Sequence, residues 1–207
     1  GLLPKLTDDQ AVEVTAIYSA AGALGAGQGL IRTPPFQAPH HTTTKAALIG
    51  GGSNVVRVGM VTMANHGVLC LDEAAEFERS VLDALRQPLE SGVVTIARSG
   101  FQTVMPARFQ LVLASNPCPC GKFIGTGAQC SCSSQVRRRY FSRLSGPLLD
   151  RIDLRVTLER PSLAELDPST GELEGTQTVA DRVAQARERA ANRYRNEPWK
   201  INSQVPG

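Results

Sequence analysis

Two short apolar runs constrain this chain more than anything else in it: Gly67-Val-Leu-Cys-Leu-Asp72-Glu73 and, further on, Leu111-Val-Leu-Ala-Ser-Asn116. Each run has the length of a buried strand, and each stops abruptly in side chains that carry chemistry. Continuous apolar runs are the mark of strands buried on both faces of a parallel sheet. The pair therefore reads as neighbouring strands delivering Asp72, Glu73 and Asn116 to one sheet edge. A carboxylate that ends an apolar strand needs a cation or water to receive it. In nucleotide hydrolases the first such acid holds Mg²⁺ through water and the second polarises the attacking water. Asn116 stands where an amide could orient that water or meet the γ-phosphate. The plainer alternative is a strand-to-helix turn in which Asp72 serves as an N-cap. The other half of an ATPase site is absent, because no G-x-x-x-x-G-K-[ST] loop occurs in the 207 residues.

The remaining elements follow from periodicity and punctuation. Thr7-Asp-Asp-Gln10 is a capping-box pattern, followed at helical spacing by Ala11, Val14, Ile17 and Ala21, with Gly22 and Gly25 as the stop. Residues 26–57 are rich in Gly, Pro, Thr and His. Within them a short helix is expected at Thr44–Ile49 and a glycine tip at Gly50-Gly-Gly-Ser53. A helical stretch at Gly59–Ala64 precedes the first strand. Val81, Leu82, Leu85 and Leu89 predict one amphipathic helix over 78–90 that ends at Gly92. Val93–Ala97 and Gln102–Met105 flank Arg98-Ser-Gly-Phe101 as a hairpin. Phe109–Ala114 reads as a buried strand, 134–145 as a helix and Ile152–Val156 as another strand. The segment 161–177 reads as a linker, and 178–195 as a helix with Val179, Val183, Ala186, Ala190 and Tyr194 on one stripe. Strands alternating with helices give an α/β fold with a mainly parallel sheet.

Composition narrows the class. The chain is 42% apolar and 20% charged, enough to bury a core, and no apolar run is long enough to span a bilayer. A cytoplasmic location is expected, and Gly1-Leu-Leu-Pro4 reads as a cut inside a longer chain. The net charge of +3 is too small to imply nucleic acid by itself, although Arg137, Arg138 and Arg139 cluster. Cys118-Pro-Cys120 and Cys130-Ser-Cys132 are two C-x-C pairs separated by nine residues. Four such thiols can wrap a tetrahedral Zn²⁺, stay as free thiols, or pair as disulfides; the last fits poorly with an intracellular ATPase pattern. Cys70, inside a strand, reads as core. His40 and His41 are either a metal pair or loop surface, the latter being the usual fate of histidines in a polar loop.

These segments resemble the magnesium-chelatase-like AAA+ ATPases, and within them the YifB/ComM type. The likeness is carried by Phe36-Gln-Ala-Pro-His-His41-Thr, Ala47-Leu-Ile-Gly-Gly-Gly52, GVLCLDE at 67–73 and SVLDALRQPLESGVVTIAR at 80–98. PARFQLVLASNPCPCG at 106–121 and RLSGPLLDRIDLRV at 143–156 extend it over essentially the whole chain. Ala74-Ala75 departs from the family's usual Leu-Pro, and Val58-Gly59 from its Pro-Gly. The resemblance implies a three-layer αβα P-loop NTPase core, truncated at both ends and carrying inserted hairpins. It places a partial ATPase core at 1–160, the linker at 161–177 and the start of a helical region at 178–207. It implies ATP and Mg²⁺, a self-assembled, hexameric ring, and DNA as the partner, with branch migration in transformation or recombination as the task. Asp72 and Glu73 match the Walker B acids and Asn116 the sensor asparagine. Arg151 matches the finger presented to a neighbouring subunit's ATP, with an ordinary ion pair to Asp150 or Asp153 as its alternative; Arg143 is a weaker candidate for that edge. The resemblance further implies that a strand lies between those ending at Asn116 and Val156, and that this chain lacks it. Two other readings stay open: a zinc-stapled DNA- or protein-binding module without turnover, and a subunit of a metal chelatase.

Overall fold

The computed structural model describes residues 2–52, 56–98, 101–159, 161, 174–199 and 205. It divides into two compact units, Leu6–Glu159 and a second made of Gly1–Lys5 with Arg160–Gly207. The tip residue Ser53, the turn residues 99–100 and most of the expected linker, 162–173, lie outside the described residues.

The larger unit opens with helix α1, Asp8–Ala20. Its capping box is formed as read: Thr7 Oγ1 accepts from the Gln10 backbone, and the Gln10 amide oxygen accepts from the Thr7 N–H. Ala11, Val14 and Ile17 are buried along one face. Strand β1 (Phe36–Gln37), helix α2 (Lys45–Ile49, capped by the Thr44 hydroxyl) and the pair β2 (Gly50–Gly51) and β3 (Arg57–Val58) come next. Helix α3 (Met60–Met63) leads into strand β4 (Val68–Leu71). A 3₁₀ turn at Ala74–Glu76, helices α4 (Arg79–Asp83) and α5 (Arg86–Ser91), and the hairpin of β5 (Val93–Arg98) with β6 (Phe101–Pro106) precede strand β7 (Gln110–Leu113). Helices α6 (Ser134–Phe141) and α7 (Gly146–Leu149) close the unit.

The central sheet is β1-β4-β7, with both pairings parallel. Register assigns its two faces, since paired residues point the same way. Leu69, Leu71, Leu111 and Leu113 share one face and join a core of Leu48, Val61, Phe77, Val81, Leu82, Leu85, Val94, Ile96 and Leu148. The opposite face carries Phe36, Val68, Gln110, Cys70 and Val112, of which Phe36 is 65% and Val112 40% exposed. β7 is therefore covered on one face only among the described residues, not buried on both as its composition implied.

The start of the sheet is locked by polar groups. Asn65, fully buried, donates to Glu13 Oε2 at 3.0 Å and accepts from the Arg108 N–H at 2.8 Å. His66 pairs with the same Glu13 carboxylate. Gly67 follows with no room for a side chain: a Cβ there would lie 2.0 Å from the Pro35 carbonyl oxygen, so only glycine lets β1 approach β4.

Two expected elements differ. The single helix over 78–90 is two, broken at Ala84–Leu85. Pro88 explains the break, because its ring clashes with the carbonyl of the residue four before it, Ala84. Leu82 and Leu85 nonetheless stay fully buried. The strand over Ile152–Val156 does not form; residues 152–159 carry no regular structure, and Leu154, Val156 and Leu158 are 84%, 77% and 87% exposed. Their apolar alternation suits a strand, but a strand exists only through a hydrogen-bonding neighbour, and the described residues supply none.

In the smaller unit, helix α8 spans Thr176–Arg193. Val179, Val183, Ala190 and Tyr194 are half-buried along the expected stripe, whereas Ala186 is exposed. No helix among the described residues is long and apolar enough to cross a membrane.

Candidate functional site

Parallel strands end on the same side, and in open α/β sheets ligands collect outside those carboxyl ends. Here β4 and β7 run in step up to Leu71 opposite Leu113. The chain then stays joined beyond the strands: the Ala114 N–H donates to the Leu71 carbonyl at 3.0 Å, and the Ala74 N–H to the Ala114 carbonyl at 2.8 Å. Asp72, Glu73 and Asn116 leave this edge side by side, all three exposed. Among the described residues no hydrogen bond joins the Asn116 amide to either acid.

Glu73 is held in a special conformation. Its backbone is left-handed, φ 51° and ψ 41°, which costs a non-glycine residue about 1–2 kcal/mol. Three contacts impose it: Asp72 Oδ1 accepts from the Glu73 N–H at 2.8 Å, the Glu73 carbonyl accepts from Glu76 at 2.7 Å, and Ala74 is tied to β7. Strain of this kind gathers at functional sites. Beyond the backbone, Glu73 Oε2 lies 3.0 Å from His41 Nδ1. The His41 ring lies against His40, tilted by 34° with centroids 4.0 Å apart, and meets the buried Phe77 edge-on at 6.5 Å. His40 Nδ1 in turn faces Thr42 Oγ1 at 2.9 Å. His40 is exposed, whereas His41 is tied to the second acid: β1 ends at the same edge as β4 and carries His41 onto Glu73. Recognising Phe36-Gln37 as a strand would have placed them there.

Helix α6 and the turn that follows it bring two groups to this edge, Tyr140 and Arg143. Tyr140 is buried, and that burial raises its phenol above the usual value; the Ser115 side chain opposes the rise, while the charges of Glu76 and Glu73 add to it. Arg143 donates to the Ala75 carbonyl and to Glu76 Oε2, both at 2.9 Å, bracing the turn just after the acids. Arg151 lies elsewhere. Its guanidinium grips Glu90 of α5, with Nε donating to Oε1 at 3.0 Å and a second, shorter contact from the terminal nitrogen. Its partner within the chain is neither Asp150 nor Asp153.

Two residues past Asn116 the chain enters the cysteine loop. All four sulfurs lie within 4.8 Å of one another: Cys118 to Cys120 is 3.3 Å, Cys118 to Cys130 3.6 Å and Cys120 to Cys130 3.7 Å. None is bonded to another, and Cys118 is buried. The cluster is electrostatically polarised. A hydrogen bond from the Lys122 backbone, then the Cys118 thiol, brings Cys120 down to about 6. Burial and Cys120 work to raise Cys118, yet the backbone of Phe123 and the Cys130 thiol leave it lowered. Cys132 is pushed up to about 11: the Cys120 backbone would lower it, but the Cys120 side chain, burial, Cys130 and Cys118 outweigh that. Cys70 sits apart in β4, half-buried.

Residues 1–166 match the family model described as magnesium chelatase, subunit ChlI. An uncharacterised protein of Mycobacterium tuberculosis is 49% identical over 207 residues, which are 100% of this chain and 40% of that protein. Competence protein ComM of Haemophilus influenzae is 45% identical over 190 residues, 91% of this chain and 35% of its own. The uncharacterised protein YifB of Escherichia coli is 42% identical over 193 residues, 93% and 37% respectively. The chain thus spans 35–40% of the length of these relatives. On that match, and on a parallel α/β sheet of the P-loop NTPase kind, this chain belongs to the magnesium chelatase ChlI family, in its YifB/ComM branch.

Proposed function

We propose that this chain carries the hydrolytic edge of an ATP-driven AAA+ motor that acts on DNA as a ring of identical subunits, six in the closed form. The observation that supports it best is the shared edge of β4 and β7, where Asp72 and Glu73 lie beside Asn116 and Glu73 is restrained by His41. Exposed carboxylates at strand ends are the oxygen donors that a largely hydrated Mg²⁺ accepts. Bound through water to Asp72, that ion would neutralise phosphate oxygens of the nucleotide. Glu73 would take a proton from the attacking water at its free carboxylate oxygen, and the Asn116 amide would fix that water's orientation. His41 would keep the Glu73 carboxylate aimed. The phosphate-cradling loop, which these 207 residues do not contain, is assigned to the remaining length of the protein. DNA as the substrate rests on the kinship with a competence protein and on the exposed Arg138 and Arg139 of α6. A metal-stapled module without turnover would have no use for a strained, histidine-braced Glu73 between Asp72 and the Asn116 strand.

The deciding measurement is Mg²⁺-dependent phosphate release by the full-length protein, with and without branched DNA. Hydrolysis stimulated by that DNA is expected. No hydrolysis overturns the motor, and hydrolysis indifferent to every DNA overturns the substrate.

His41→Ala gives a finer test. Loss of the carboxylate's orienting partner should lower kcat about 10-fold with little change in KM, the scale typical of a removed orienting contact. His41→Gln, which keeps a polar group within reach, should restore part of it. An unchanged kcat in steady-state assays would make the His41–Glu73 contact incidental.

A further inference from the structure

We infer that Cys118, Cys120, Cys130 and Cys132 bind one zinc ion as a closed tetrathiolate, and that this ion staples the segment after Asn116 to helix α6.

Distance is the first argument. A zinc–sulfur bond of about 2.3 Å sets the edge of a regular ZnS₄ tetrahedron at about 3.8 Å. The sulfur separations of 3.3, 3.6 and 3.7 Å, and the 4.8 Å bound on all four, are those of sulfurs facing a common centre. They are far beyond the roughly 2.05 Å of a disulfide. A two-iron cluster would interpose sulfides between the C-x-C pairs and spread them further apart, so the geometry points to one ion. Four thiolates with no open position make the site structural.

The surroundings are the second argument, because the loop is built to converge. Gly121, Gly125 and Gly127 all take positive φ, turning the chain back between the two C-x-C pairs. A Cβ on Gly127 would lie 2.5 Å from the Phe123 ring, so that position has to be glycine. The Arg137 guanidinium lies over the Phe123 ring, 4.1 Å from its centroid. The same Arg137 donates to the Cys132 carbonyl at 2.6 Å. α6 starts directly after the last cysteine, with Ser133 as its N-cap. Arg137 is therefore engaged within the chain, and the basic cluster of the sequence is divided: one arginine binds the loop, while Arg138 and Arg139 remain at the surface. Through α6 and the turn after it the staple also reaches Tyr140 and Arg143, which lie against the turn after Glu73.

Zinc binding goes beyond the ATPase reading and does not rest on it. One consequence does: with zinc removed, Asn116 loses its anchor on one side, so turnover should fall while nucleotide affinity holds.

The test uses full-length protein purified without chelators. Metal analysis should find about one zinc per chain, and replacement by Co²⁺ should give the intense absorption of a tetrahedral cobalt thiolate. Cys118→Ser and Cys130→Ser should each lower zinc affinity at least tenfold, while Cys70→Ser leaves it unchanged. If the serine variants do not fold, chelation of the wild-type protein followed by hydrogen exchange replaces them. Amides of 117–143 should then exchange faster and those of the β5–β6 hairpin should not. Metal-free protein with titratable thiols, an iron signal in place of zinc, or disulfides in protein isolated without reductant would each overturn the proposal. Because metal content and exchange are read without nucleotide, a zinc protein lacking ATPase activity would sink the motor and leave the staple standing.

Discussion

Glu73→Gln is expected to abolish ATP turnover in the full-length protein while leaving nucleotide binding intact. The substitution keeps length, shape and Cβ, so the left-handed turn at Glu73 and its ties to Ala114 and Glu76 should survive. What it removes is the ability to take a proton. General-base catalysis contributes about 10²–10⁴ in rate, so kcat should drop by about three orders of magnitude. On the proposed mechanism the phosphate-binding groups and the Mg²⁺ held through Asp72 would be untouched, so the nucleotide Kd should change little. Paired measurements of phosphate release and of a fluorescent nucleotide's affinity separate the outcomes. Unchanged turnover would remove Glu73 from the mechanism, and loss of both properties would mean that the turn itself had been damaged.

How much of this was legible in the chain depends on what each signal rests on. Local signals carried through: the Thr7 capping box, the Gly92 stop and the alternation of the hairpin strands each depend on nearby residues alone. The β4 and β7 runs were readable because four apolar residues in a row, each ending in polar side chains, have few other uses. The two-residue β1 was not, since Phe36-Gln37 is too short for any period to show. With it went the position of His41, a contact across 32 residues that only the sheet creates. Pro88 was visible in the sequence, yet the apolar stripe through Leu82, Leu85 and Leu89 outweighed it; burial of that stripe holds both short helices in place despite the break. The Ile152–Val156 pattern failed for the opposite reason. Its alternation is sound, but a pattern states what a strand would bury, not whether a neighbour exists to pair with it. The cysteine spacing left zinc, free thiols and disulfides open; the sulfur separations, too long for a disulfide, are what the zinc proposal is built on.

Arg151→Ala should be nearly as damaging as loss of Glu73, though Arg151 touches none of the edge residues of its own chain. Its visible partner is Glu90, and both side chains are nearly half exposed. A pair so wetted contributes about 0.2–1 kcal/mol, little enough for the guanidinium to be drawn away by a phosphate of an adjoining subunit. An arginine supplied in trans to a phosphoryl transfer is worth about 10³–10⁵ in kcat. On the ring proposal, Arg151→Ala should therefore lower turnover by at least about 10³. Glu90→Gln, which merely frees the arginine, should leave turnover within a few-fold of the original. Mixing decides whether the arginine acts across an interface. Glu73→Gln subunits keep Arg151 and Arg151→Ala subunits keep Glu73, so some interfaces in a mixed ring regain both groups. Activity of the mixture above that of either variant alone is expected. A mixture as inactive as its parents, in rings verified to contain both, would confine Arg151 to its own chain and reduce it to the Glu90 ion pair.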